Sequence, residues 1–199
     1  MEFADVVRRR RMVRSYTDEP VDPDTVDRIL SHALRAPSAG FSQGWAFLLL
    51  DDPLSVMTFW QVATSPGEGG DAWSDGMRRA PVIVVPMADQ GAYLERYAEP
   101  DKGWSDRDES RWPVPYWLID TGMAALLMLL TAVDEGLGAC FFGIPPGRTD
   151  AFREAFGVPA DHEPIGAITI GHRAPDGVRG SAATRRRRGP DEVVHRGRW

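Results

Sequence analysis

The segment from Trp117 to Val133 is almost entirely apolar, broken chiefly by Asp120, Thr121 and Gly122. A helix of that composition has no polar face to give to water, so it is expected to be buried on all sides, in a large core or in a dimer interface. It is short for a membrane span, which takes about 20 residues. A chain of 199 residues with 43% hydrophobic content can supply the layers that cover it. Gly136-Leu137-Gly138 then ends the helix with a glycine cap.

The neighbouring segments carry weaker patterns. Residues 2–10 read as a short helix with Phe3, Val6 and Val7 on one face. Asp22-Pro23-Asp24 starts another: an Asp cap, a Pro in the first turn, and acids near the positive end of the dipole. Val26, Ile29, Leu30, Ala33 and Leu34 follow at helical spacing until Pro37. The runs Ala46–Leu50, Pro81–Met87, Ala139–Ile144 and Pro164–Gly171 read as strands, and Leu54–Ala63 and Arg148–Phe156 as helices. Ser65–Ser74 is glycine-bearing and reads as a mobile loop. Residues 88–116, polar, proline-containing and rich in Trp and Tyr, read as a long lid or insert. Residues 173–199 read as an extended C-terminal arm. Helices and strands alternate without a convincing parallel βαβ run, so the expectation is one three-layer α+β domain over residues 1–199.

Charge is divided unevenly. Net charge is −6, yet residues 1–14 and 173–199 together carry +8 and the body between them −14. All but one of the 23 basic residues are arginines, with runs at Arg8–Arg11 and Arg185–Arg188. Such runs are most often solvated faces. Two of them at opposite ends also suit a shared anion, because the guanidinium fork bonds phosphate oxygens in pairs. No aromatics interleave the runs and the body is acidic, which argues against a nucleic-acid partner. The lone Cys140 excludes an intramolecular disulfide. The chain begins without an apolar leader, and a cytoplasmic protein is the expectation.

Protein-only chemistry finds few candidates. There is no GxxxxGK[ST] loop, no GxSxG elbow and no HExxH pairing among His32, His162, His172 and His195. The glycines at 136–143 follow a helix and enter a strand, the reverse of a dinucleotide loop. No metal site and no catalytic side chain stand out. An enzyme of this kind is expected to bind a cofactor that carries the hard chemistry.

Four segments in order bear on that cofactor: Arg10-Arg11-Met12-Val13-Arg14-Ser15-Tyr16, then Ala36-Pro37-Ser38-Ala39-Gly40-Phe41-Ser42-Gln43-Gly44-Trp45, then Gly136-Leu137-Gly138-Ala139, then Arg185–Arg188 with Gly189-Pro190. Together they resemble the FMN-dependent nitroreductase family, from about Val7 to Pro190. The resemblance implies a central, mostly antiparallel sheet, an intertwined homodimer, FMN as cofactor, and NADH or NADPH as electron donor. It implies reduction of a small-molecule acceptor, nitroaromatic or quinone-like, by two-stroke hydride transfer through the flavin N5. Dehydrogenation, dehalogenation, flavin fragmentation, deazaflavin-linked chemistry or flavin binding without turnover are the alternatives on the same fold.

By position, the resemblance assigns Arg10, Arg11 and Met12 to the phosphate and ribityl region and Arg14 to the N1–C2=O edge. Arg186 and Arg188 fall to the phosphate. Pro37, Ser38, Ala39 and Gln43 lie on a segment that reaches the flavin from the other subunit, and Phe142, Gly143 and Ile144 match the strand end beside N5. Phe41 stands where Asn is usual, Gly44 where Pro is usual, and Gly143 where Glu is frequent. Phe41, Trp104 and Trp112 are candidate walls of the substrate space. A mid-chain flavin contact is expected between Asp71 and Arg79.

Overall fold

The computed structural model describes residues 1–64, 72–175 and 184–199. In chain order the elements are α1 (Phe3–Arg9), α2 (Pro23–Ala33), β1 (Trp45–Leu50), α3 (Pro53–Val62), α4 (Ala72–Arg78), β2 (Val82–Asp89) and α5 (Gln90–Ala98). There follow α6 (Tyr116–Asp134), β3 (Gly138–Phe142), α7 (Thr149–Phe156), β4 (His162–Pro164), β5 (Ala167–Gly171) and α8 (Pro190–Val193). Three helix starts share one device, an aspartate whose side chain takes a first-turn N–H. Asp22 accepts from Asp24 at 3.2 Å, Asp52 from Leu54 and Ser55 at 3.0 Å, and Asp89 from Ala92 at 3.2 Å.

The sheet runs β1-β2-β5-β3, with every strand pair antiparallel and β4 pairing the far end of β2. Because side chains alternate across a strand, β2 feeds two cores at once. Val82 and Val84 join α2 and α6 on one face, while Ile83 and Val85 join α3 and α7 on the other. The result is the expected three layers, α+β with an antiparallel sheet. Leu48 opposite Val85 and Cys140 opposite Thr169 fix the register.

The chain before α2 adds to the β3 edge. Met12 bridges Ala139 in parallel, the Val13 N–H bonds Ala139 O at 2.9 Å, and Val13 occupies the space a Gly138 side chain would need. Tyr16 then bridges Arg173, and Ala174 N–H bonds Ser15 O at 3.0 Å. The C-terminal arm therefore departs from beside the N-terminal arginine segment.

Three expectations need correction. Residues 88–116 are not a loop throughout: Asp89 caps α5, whose Tyr93, Arg96 and Tyr97 face the rest of the fold. Pro164–Gly171 is two strands, parted at Gly166, which takes φ +147 where Phe141 and the Phe142 carbonyl leave no space for a Cβ. The arm carries one helical turn, α8. As for α6, the core of one chain covers only one side of it, which leaves the dimer-interface alternative for the other. Ala124, Met128 and Ala132 are buried, but Ile119 and Met123 are 40% exposed and Leu126 is 48% exposed. Of the Ser65–Ser74 loop, residues 65–71 lie outside the described residues, and from Ala72 the chain is helical.

Candidate functional site

Antiparallel registers place three segments at one end of the sheet. Trp45 pairs Ala88, Ala88 pairs Glu163, and Phe142 pairs Ala167. The Pro37–Gln43 segment enters there ahead of β1, and Phe142-Gly143-Ile144 leave there after β3. Yet β1 and β3 are opposite edges, three strand spacings or roughly 14 Å apart.

On the β3 edge, the first arginines are arranged unequally. Arg10 has its Nη1 atom buried with no hydrogen-bond partner. Arg11 Nη1 donates to the carbonyls of Arg8 at 2.7 Å and Arg10 at 2.9 Å, while the rest of its side chain is exposed. Arg14 Nη1 donates to Met12 O at 3.3 Å. Arg14 lies near enough to Cys140 to oppose, with its positive charge, the burial that pushes the thiol up. Met12 turns inward: its Sδ accepts the Phe141 N–H at 3.5 Å and the side chain packs on both cores.

At the strand end, Phe142 stacks on Trp60 with ring centroids 5.6 Å apart, and Ile144 joins the α3–α7 core. Their side chains are committed to packing. Gly143 is exposed, and beyond its chain neighbours nothing lies within 4 Å of the place a Cβ would take. What this strand end offers a ligand is bare backbone.

The β1-edge loop is tightly tied. Ser38 Oγ accepts the Gln43 N–H at 3.0 Å, Ser42 Oγ donates to Ala39 O at 2.7 Å, and the Phe41 N–H bonds Ser38 O at 3.0 Å. Gly40, Phe41 and Gln43 all take left-handed φ, at 60°, 56° and 51°. Phe41 is 73% exposed, and Pro37 and Gln43 are exposed beside it. Gly44 lets Tyr93 and the Asp89 carbonyl close in where a Cβ would collide at 2.5–2.6 Å.

Behind this loop lies the aromatic cluster. Trp112 meets Tyr93, Tyr97, Trp104, Tyr116 and Trp117, with centroids 4.5–6.1 Å apart. Trp104 leans on Tyr97 at 4.9 Å and carries the Arg111 guanidinium at 5.7 Å. Trp104 and Trp112 thus spend much of their ring surface on packing, and the cluster meets the loop through Tyr97 at Gly40.

The late arginines stay within the arm. Arg186 forms a double bond pair with Glu192, at 2.6 and 2.8 Å, and Arg188 donates to the Glu192 carbonyl. Among the described residues, no hydrogen bond or ion pair joins residues 185–199 to the body. The arm leaves beside Ser15 and Tyr16, but among the described residues the two arginine sets share no partner. The mid-chain contact expected between Asp71 and Arg79 falls on α4, apart from Asp71, which lies outside the described residues.

Sequence reasoning missed three residues. Asp120 looked like a flaw in an apolar helix; its carboxylate accepts from Ala39 N–H at 2.8 Å and from Tyr93 O–H at 2.9 Å. Arg96 Nε donates to Gly40 O at 2.9 Å. A charged residue inside an otherwise apolar helix was the available signal, since only a partner makes it tolerable.

The nitroreductase family model matches residues 7–172. A protein of Archaeoglobus fulgidus assigned by name as NADH dehydrogenase/NAD(P)H nitroreductase is 24% identical over 200 residues, covering 100% of this chain and 99% of its own length. A 5,6-dimethylbenzimidazole synthase of Rhodospirillum rubrum is 34% identical over 94 residues, 41% of this chain and 44% of the synthase. Among solved structures, a nitroreductase of Exiguobacterium sibiricum in complex with FMN superposes with a TM-score of 0.73 at 20% identity, over 98% of this chain and 97% of that one. The shared fold and a family match spanning most of the sequence lead to one conclusion: the chain belongs to the nitroreductase family of oxidoreductases.

Proposed function

We propose that this protein binds FMN at a site shared by two copies of the chain and uses NADH or NADPH to reduce a nitroaromatic, quinone or similar acceptor. The observation that carries the reading is Arg10: a buried guanidinium nitrogen without a partner is costly, and an anion at that place satisfies it. The donors present fit a phosphate dianion, with Arg11 and Arg14 in the same segment adding charge.

FMN, when bound, supplies the hydride chemistry; the chain's own residues bind it, orient it and shape the space above it. Arg10 and Arg11 hold the phosphate end. Arg14 puts a cation beside the ring edge, where negative charge on a reduced ring is favoured. Gly143 leaves room for backbone to approach a flat ring. Pro37, Ser38, Ala39 and Gln43 would reach the flavin from the second copy, and Phe41 among them would wall the acceptor space. Arg186 and Arg188, which the arm keeps on Glu192, would add charge at the phosphate if the arm brought them there.

The homodimer is part of the proposal. Its support is geometric: the β1-edge loop and the β3-edge segment cannot meet across their own sheet, and α6 exposes Ile119, Met123 and Leu126.

Purified protein is expected to be yellow, to release FMN on denaturation and to bleach with NADH or NADPH. Arg10→Ala is expected to weaken FMN binding by about tenfold to a hundredfold, the cost of losing a charged hydrogen bond. A parent protein that takes up no added FMN defeats the reading. The match to 5,6-dimethylbenzimidazole synthase favours one alternative, in which that benzimidazole is the product. Mass spectrometry of aerobic incubations with FMN and NADH separates them: intact flavin after many turnovers supports reduction, and the benzimidazole supports the synthase.

A further inference from the structure

Asp120 sits in the second turn of α6 and is 3% exposed. A buried carboxylate is tolerated when its oxygens are bonded. Here Oδ2 takes both the Ala39 N–H and the Tyr93 O–H, and among the described residues no lysine or arginine pairs with it. One oxygen therefore ties α6, α5 and the β1-edge loop together. Both neighbours are donors to that one oxygen, so an acceptor atom is what the place requires.

That loop needs holding. Phe41 and Gln43 occupy a left-handed conformation that costs a non-glycine residue of order 1 kcal/mol or more. Gly40 is pressed by Tyr97, whose ring lies 2.6 Å from where a Cβ would stand, and Arg96 grips its carbonyl. Phe41 is kept out in solvent on a strained backbone, whereas hydrophobic collapse would fold it away.

We propose that Asp120 is a positioning residue for the acceptor: by fixing Ala39 through its N–H, with Tyr93 locking the carboxylate, it sets where Phe41 stands over the ring. The role rests on the shared-site reading above. Arg96 holds the next residue from the other side, so Asp120 and Arg96 grip the bend at Ala39 and Gly40 from two helices. Carboxylate charge strengthens both of its bonds relative to an amide.

The test uses the full chain loaded with FMN, comparing the parent with Asp120→Ala, which removes the acceptor, and Tyr93→Phe. Amide hydrogen exchange at Ala39–Gln43 is expected to quicken by about tenfold in Asp120→Ala and to move the same way in Tyr93→Phe, with exchange in β2 and β5 unchanged. The double variant is expected to fall short of the sum of the single effects, since both act through one oxygen. In the same preparations, photoreduced protein is mixed with 1,4-benzoquinone. The half-saturating quinone concentration is expected to rise several-fold, while the FMN dissociation constant stays within about twofold. Parental exchange rates in both variants overturn the proposal, and so does faster exchange with an unchanged quinone concentration dependence. A parent that binds no FMN overturns the shared-site reading instead, and the exchange data then stand alone as a measure of the tie.

Discussion

Tyr16 shows how a single side chain joins the N-terminal segment to the sheet. Its ring is fully buried, its hydroxyl donates to Val13 O at 2.7 Å, and it lies 2.9 Å from Thr169 Oγ1. Burial pushes its pKa well above the ordinary 10.0, with the Thr169 bond pulling the other way. The native state therefore keeps the proton that the unfolded chain gives up above pH 10. Stability from this group is complete below that pH and declines as pH rises past it. Tyr93, pushed up by burial and then by Asp120, adds in the same sense. Tyr16→Phe is expected to cost about 1 kcal/mol in urea unfolding at neutral pH and to flatten the decline between pH 10 and 11. An undiminished slope refutes the assignment. Tyr16 was legible in the sequence only as the end of an arginine-bearing segment. Its partner Thr169 lies in the last strand, and nothing local in either stretch connects them. The arginines were easier, because charge crowded at both ends of an acidic chain is visible without a fold. Which nitrogen is buried and unpaired depends on packing, and no spacing encodes that.

The elements were readable wherever one short-range rule decided them. The Asp-Pro start gave α2, and the continuous apolar run gave β2. The reading failed at α5, whose sequence offers tyrosines and charges without a clean apolar stripe; the helix is held by Tyr93 packing under Gly44 and by Asp120, both long-range. The same distance hid the loop's support, so the Pro37–Trp45 segment was recognisable while its anchors were not. Where α4 meets the N-terminal segment, Gly76 O accepts the Tyr16 N–H at 3.3 Å, and a Cβ on Gly76 would come within 2.4 Å of Arg14 O. Backbone on both sides cannot move cheaply. Gly76→Ala is therefore expected to destabilise by about 1–3 kcal/mol in urea unfolding. By displacing Arg14 it is also expected to weaken FMN binding measured by fluorescence titration. A neutral substitution on both counts means that the helix and the arginine segment are not in contact as described.

For the whole molecule the decisive feature is the apolar helix that the fold covers on one face only. α6 gives Ala124, Met128 and Ala132 to the core and leaves Ile119, Met123 and Leu126 to water, next to α1, which exposes Phe3 and Val7. Large apolar side chains exposed together in this way call for a partner. The proposed second copy would answer two needs together, covering the face and carrying a β1-edge loop to a β3-edge segment that its own sheet keeps away. The two needs can be separated by experiment. Met123→Arg combined with Leu126→Arg changes only exposed positions, so the fold should survive, with unchanged far-ultraviolet circular dichroism, while sedimentation shows a monomer. If the site is shared, that monomer also binds FMN at least about tenfold more weakly than the parent, although no arginine of the phosphate end has been touched. A variant that remains dimeric shows that α6 is not the interface. A monomer that holds FMN as the parent does shows that one chain builds the whole site, and the placement of Pro37–Gln43 over a neighbour's flavin fails with it.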